Sequence, residues 1–173
     1  MRYLATIALC LTLVACGNAG TAPLDLESVR AVLLAALDVL NTGVEREDPI
    51  LASQPISDRF SMNNNIAVRY LDEGWTGKGA GKFREFFDEV FEIHANIEQQ
   101  LVLIEVDLQG EVATARVGVD FSSLRVDRTP PENHTASGED YFIFEREDGS
   151  WRLIRWDEAL VMPPQDGGSD EDL

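Results

Sequence analysis

The spacing of apolar and polar positions along this chain changes near residue 97. Before it, apolar residues recur every three or four positions; after it, they alternate. From Asp25 to Leu40, the residues Val29, Val32, Leu33, Ala36, Leu37 and Leu40 share one helical face, with Asp25 as N-cap and Asn41-Thr42-Gly43 as the stop. A shorter helix is predicted after Pro49. Residues 60–70 admit two readings, because Asn63-Asn64-Asn65 breaks the pattern and Ile66-Ala67-Val68-Arg69-Tyr70 also fits a strand. Residues 74–81 read as a glycine-rich loop entering a helix at about Lys82, whose apolar face carries Phe83, Phe86, Phe87 and Val90. The alternating region predicts strands near 97–108, 111–126, 137–147 and 150–161. Tight turns fall at Gln109-Gly110 and Asp148-Gly149, the second a type I′ signal. In the second strand Ala113, Ala115, Val117, Val119 and Phe121 face one way, and Thr114, Arg116, Gly118 and Asp120 the other. That is the pattern of a sheet covered on one face. Gly118 predicts a bulge or bend. Helices followed by a curled antiparallel sheet make an α+β plan.

The first residues obey another rule. Met1-Arg2 precedes a nearly unbroken apolar run over residues 4–14 and the small Ala15, which reads as a secretory signal too short to span a bilayer. Its ending, Leu13-Val14-Ala15-Cys16, resembles the lipobox of bacterial lipoproteins. The resemblance implies cleavage of residues 1–15 and lipidation of Cys16. Several acyl chains on one residue anchor stably, since each buried methylene contributes about 0.8 kcal/mol. Gly17 stands where inner-membrane retention has Asp, so the resemblance further implies the outer membrane, facing the periplasm. Residues 16–23 read as a tether, 24–162 as the domain, and 163–173 as an acidic disordered tail.

Charge and cysteine usage narrow the chemistry. The formal net charge is −17, and loss of Arg2 with the signal leaves 13 basic against 31 acidic residues. So acidic a surface repels phosphates and excludes nucleic acid as a partner. The two cysteines are Cys10, inside the signal, and Cys16. The domain therefore has no disulfide, no thiol nucleophile and no thiolate metal site. His94 and His134 lack ligand spacing; His94 reads as a cation capping the end of its helix, and His134 as a solvated loop residue. No metal and no cofactor is expected. The stretch from Gly74 to Lys82 fails as a phosphate loop, because Gly77 and Gly81 are four apart and Phe83 follows Lys82.

Residues 24–162 resemble the nuclear transport factor 2-like, or cystatin-like, cone, a superfamily that includes SnoaL-like polyketide cyclases and ketosteroid isomerases. The likeness is carried by the opening helix ending in Asn41-Thr42-Gly43 and by Gly81-Lys82-Phe83-Arg84-Glu85-Phe86-Phe87. It is completed by the hairpin from Tyr141-Phe142-Ile143-Phe144 to Asp148-Gly149-Ser150-Trp151-Arg152-Leu153-Ile154. It implies helices packed on a strongly curved antiparallel sheet around an apolar pocket. The isomerases use a carboxylate base, with a Tyr and a protonated Asp holding the oxyanion. By the resemblance the base position falls on Tyr70 and the oxyanion Tyr on Ala36, neither of which fits, while Asp140 matches the protonated Asp. Asp72 or Glu73 supplies a second carboxylate if the correspondence shifts by two or three positions. Tyr70, Trp75, Asp140, Phe142 and Trp156 are the expected ligand-lining set.

Two functions remain open from sequence. One is a non-enzymatic binding domain, held at a membrane through the lipid on Cys16, for an apolar small molecule or an envelope protein. The other is an isomerase- or cyclase-like enzyme using Asp140 with Asp72 or Glu73. A homodimer is compatible with either. Two carboxyls in a sealed apolar pocket favour the enzyme; a filled cone favours the binding module.

Overall fold

A computed structural model of the protein describes residues 25–158. The export signal, Cys16, the tether, the acidic tail and the last residues expected in the final strand lie outside the described residues. In chain order the elements are α1 (Leu26–Glu45), α2 (Pro49–Ala52), β1 (Ile56–Met62), α3 (Asn64–Leu71), α4 (Gly79–Ile93), β2 (His94–Gln109), β3 (Val112–Arg125), β4 (Glu132–Glu147) and β5 (Ser150–Glu158). The strands form one sheet in the order β1-β5-β4-β3-β2, antiparallel throughout except that β1 runs parallel to β5. The fold is α+β, with the helices packed on a curved sheet, as the periodicity predicts.

Asp25 caps α1 as expected, accepting from the Ser28 backbone N–H at 3.1 Å. The helix nevertheless runs through Asn41-Thr42-Gly43. Gly43 is no stop but a point of close approach: a Cβ there would lie 2.3 Å from the Ala52 nitrogen, so its bare backbone lets α2 pack against α1. Asn41 reaches across to the edge strand, accepting from the Leu101 N–H at 3.0 Å and donating to the Leu101 carbonyl at 3.4 Å.

Between these helices and the sheet lies the core. Val29, Leu33, Leu37, Leu40 and Val44 of α1 are buried, as are Phe83, Phe86, Phe87 and Val90 of α4. From the sheet, Ala113, Ala115, Val117, Val119 and Phe121 of β3 meet Asp140, Phe142 and Phe144 of β4. The predicted inward face of β3 is therefore the observed one.

Three local expectations are corrected. Residues 66–70 are helical, because the Asn63 side chain caps α3 by accepting from the Asn65 N–H at 2.9 Å. The apparent break is thus a helix start. Ile56–Met62, unassigned from sequence, is β1, hidden by its polar Ser57-Asp58-Arg59 centre. Gly118 holds regular register with Val102 and Glu139, and the irregularities of that ladder fall on β2 instead. The Asp148-Gly149 turn has two positive φ angles, 48° and 83°, as type I′ requires.

Candidate functional site

Helix α3 packs against β5 and α4. Its Arg69 donates two parallel hydrogen bonds to Asp140 on β4, at 2.8 and 2.9 Å. Trp156 on β5 donates its indole N–H to the same carboxylate at 2.7 Å. Asp140 is wholly buried. Every partner it has is a donor, which is the environment of a carboxylate and not of an acid that must itself donate a proton. Burial alone would lower the Arg69 pKa, but the Asp140 carboxylate outweighs it and holds the guanidinium above its usual range. The expectation of a protonated Asp140 facing a ligand is corrected here: its oxygens are taken up by Arg69 and Trp156.

The aromatic candidates fill the cone they were expected to line. Tyr70, Phe142 and Trp156 are fully buried. Tyr70 meets Phe121 at a ring-centroid distance of 4.7 Å, Phe86 at 5.8 Å and Trp156 at 6.1 Å, all edge-to-face. Phe142 packs on Trp156 at 4.7 Å. Trp75 is half-buried and lies edge-on to Phe86 at 5.4 Å. Burial pushes the Tyr70 hydroxyl pKa well up, reinforced by Asp140 and only opposed by Arg69, so Tyr70 stays a neutral phenol. The two remaining carboxylates lie elsewhere. Asp72 is the left-handed residue ending α3, exposed and bound by Arg125 at 2.7 Å and Arg128 at 2.8 Å. Burial would raise its pKa, but the two guanidinium groups prevail and lower it. Glu73 is exposed, and neither it nor Asp72 is hydrogen-bonded to Asp140.

Sequence reasoning misplaced both histidines. His94 is buried at the start of β2 and hydrogen-bonds the Tyr70 carbonyl through Nε2 at 2.8 Å and the Ser123 hydroxyl through Nδ1 at 2.6 Å. A carbonyl only accepts, so Nε2 carries the hydrogen and Nδ1 accepts from Ser123. His134, half-buried, donates to the neighbouring Arg69 carbonyl at 2.9 Å, and the two imidazole rings are 5.1 Å apart. Together they satisfy the Arg69 and Tyr70 carbonyls in the last turn of α3. His94 is therefore a neutral cap of α3 and not a charged cap of α4. Desolvation depresses its pKa, aided by His134 and Arg125 and opposed by the Tyr70 carbonyl and Asp127. In the unfolded chain the ring takes up its proton near 6.5, while the folded protein resists it. The stability it contributes is whole above that value and is lost as pH falls through it. Urea titrations are expected to show stability declining below about pH 6.5, with His94→Gln flattening that decline.

An open cleft of about 740 Å³ lies beside the filled cone, between the C-terminal half of α1 and the β2-β3-β4 surface. Asp38 and Glu45 line it from α1, and Glu98, Gln99 and Asp120 from the strands. None of Tyr70, Trp75, Asp140, Phe142 and Trp156 lines it. The sequence does carry a sign of Gln99: it is the one amide in the inward row Ile97, Gln99, Leu101, Leu103.

Four helices packed on a curled five-stranded sheet, with β1 inserted between α2 and α3 and paired parallel to β5 at one edge, define a nuclear transport factor 2-like fold. A nuclear transport factor 2-like superfamily protein from Salmonella enterica shares it at a TM-score of 0.62 and 13% identity, covering 82% of this chain and 98% of that one. A hexachlorocyclohexane dehydrochlorinase (LinA type 2) matches at 0.64 and 11% identity, covering 75% and 83%. A ketosteroid isomerase-like protein from Erwinia carotovora matches at 0.57 and 18%, covering 73% and 91%. No family model matches the chain, and no curated protein matches it by sequence. At such identities the likeness establishes the fold alone, and function has to be argued from the site.

Proposed function

We propose that this protein is a non-enzymatic binding module, exported and held at a bacterial outer membrane through a lipid on Cys16, whose partner is an envelope protein. The observation that carries the reading is the filled cone. The volume in which this fold would process an apolar substrate is occupied by Tyr70, Phe86, Phe121, Phe142 and Trp156. The one carboxylate inside it is held by Arg69 and Trp156. Proton transfer needs a base within reach of a substrate proton, and Asp140 is wholly buried with both of its oxygens engaged by Arg69 and Trp156. An apolar ligand would first have to expel those rings from a packed interior.

The anchor rests on Leu13-Val14-Ala15-Cys16 and on the apolar run before it. No helix among the described residues is long and apolar enough to cross a membrane. Cys16→Ser is expected to abolish incorporation of a fatty-acid analogue and to leave an unprocessed or unanchored species. Labelling unchanged in that variant would refute the anchor. Proton exchange on a steroid ketone, followed by NMR with the purified full-length protein, is expected to stay at the buffer rate. Exchange above that rate that is lost in Asp140→Asn would refute the binding-module reading in favour of an enzyme.

A further inference from the structure

Helix α1 is apolar on more than the face it buries. From Ala31 to Leu37 it carries seven apolar residues in a row, Ala31-Val32-Leu33-Leu34-Ala35-Ala36-Leu37. A helix that is apolar all round is ordinarily covered all round. Here one side is covered: Val29, Leu33, Leu37, Leu40 and Val44 are buried, and the helix packs on β2 and α2. The opposite side presents Ala31 and Ala35, both exposed, flanked by Val32 and Leu34, each 46% exposed. At 3.6 residues per turn these four span roughly 160° of the helix, at least as wide as the stripe a surface helix buries. Leu26, at the end nearer the tether, is 44% exposed. Glu27 and Asp38 bound the band, and no charged residue lies between Arg30 and Asp38.

The position of the band says what covers it. Asp25, the cap of α1, stands nine positions after Cys16. An extended chain covers at most about 3.5 Å per residue, so α1 starts within about 30 Å of a lipid on Cys16. The band follows roughly 9–15 Å along the helix. Such a tether is long enough to let α1 lie flat on the bilayer and short enough to hold it there at high local concentration. A patch too small to draw a protein from solution then suffices. The helix does not cross the membrane: Glu27, Arg30, Asp38 and Glu45 interrupt it, and no described helix is long and apolar enough to do so. A second copy fits the band poorly. Parallel or antiparallel pairing centred on residues 31–35 sets Glu27 and Asp38 against acids.

We propose that the exposed band of α1, formed by Ala31, Val32, Leu34 and Ala35, docks on the bilayer that holds the anchor, its side chains entering a surface of zwitterionic phospholipid. The inference rests on the lipid anchor at Cys16 and adds an orientation to it, with α1 against the membrane and the outer face of the sheet turned away. Zwitterionic lipid is specified because Glu27, Asp38 and a formal net charge of −17 repel anionic headgroups.

The test places p-benzoylphenylalanine at Leu34 of the full-length chain, expressed and processed in a bacterial envelope. The purified protein is reconstituted in phosphatidylcholine vesicles and irradiated. Mass spectrometry is expected to find phospholipid joined to the peptide containing residue 34. The same probe at Glu139, exposed on the outer face of β4, should capture none. Phosphatidylglycerol vesicles should lower the yield about tenfold at low salt and restore it at about 500 mM, where the repulsion is screened. Val32→Gln with Ala35→Gln, both at exposed positions, should lower the yield in phosphatidylcholine about tenfold with an unchanged urea midpoint. No lipid adduct at residue 34 would overturn the proposal without recourse to any variant. So would adducts to a second copy of the chain, or equal lipid yields at positions 34 and 139. Acyl labelling of Cys16 reports the anchor separately. An acylated chain without lipid adducts keeps the anchor and loses the docking. An unacylated chain that forms them when mixed with vesicles loses the anchor and keeps the docking, and a chain that does neither loses both.

Discussion

Arg69→Met is expected to lower the stability of the domain by about 3–5 kcal/mol, because it strands the Asp140 carboxylate in the core. The two groups meet through two hydrogen bonds at 2.8 and 2.9 Å, with Asp140 wholly buried. Trp156 is the only other described donor to that carboxylate. Removing one member of a buried pair costs far more than the pair itself contributes. Combining Arg69→Met with Asp140→Leu is therefore expected to recover most of the loss. Asp140→Asn should destabilise as well, since the amide turns an N–H toward donors; a protonated pocket acid would instead tolerate that change. Urea denaturation measures all three. A loss below about 1 kcal/mol for Arg69→Met would mean that the pair is solvated.

Trp156→Ala should cost about 3–5 kcal/mol, the range for emptying a large buried aromatic site. The ring is fully buried, stacks near Phe142 at 4.7 Å and lies 6.1 Å from Tyr70. Trp156→Phe separates two contributions. It keeps much of the volume and removes the 2.7 Å hydrogen bond to Asp140, for an expected loss of about 1.5–3 kcal/mol. Because Arg69 and Trp156 serve the same carboxylate, their effects should be non-additive in a double-mutant cycle. Additive losses would indicate that the two donors act on Asp140 independently.

How much of this was readable from the chain differs sharply between the sheet and the site. The alternation through β3 places Ala113, Ala115, Val117, Val119 and Phe121 inward correctly, because a period of two allows only two faces and one of them is apolar. Asp140 was legible as an inward carboxylate on the same grounds. Its partner was not. Arg69 is 71 positions away in sequence, on a helix whose residues 66–70 also fit a strand, and a strand would have aimed that guanidinium elsewhere. The Asn63 cap decides the matter, and three consecutive asparagines disguise it as a break. For His94 the element boundary was right and the neighbour wrong, while His134, read as a loop residue, lies inside β4. His94 does end α4, but the carbonyl it serves belongs to α3, a contact set by tertiary packing. Gln99 was passed over because a single polar residue inside an apolar row looks like noise until its burial is known.

The contact between Asn41 and Leu101 bears on how this sheet ends. A terminal strand such as β2 presents spare backbone groups on which another chain can polymerise. At Leu101 those groups are already occupied: the Asn41 amide takes both the N–H and the carbonyl, imitating one residue of a neighbouring strand. A helix thus supplies the false sixth strand at its decisive point, and an incoming chain finds no template there. One asparagine, placed where the opening helix crosses the sheet, denies that residue of the margin to an incoming strand.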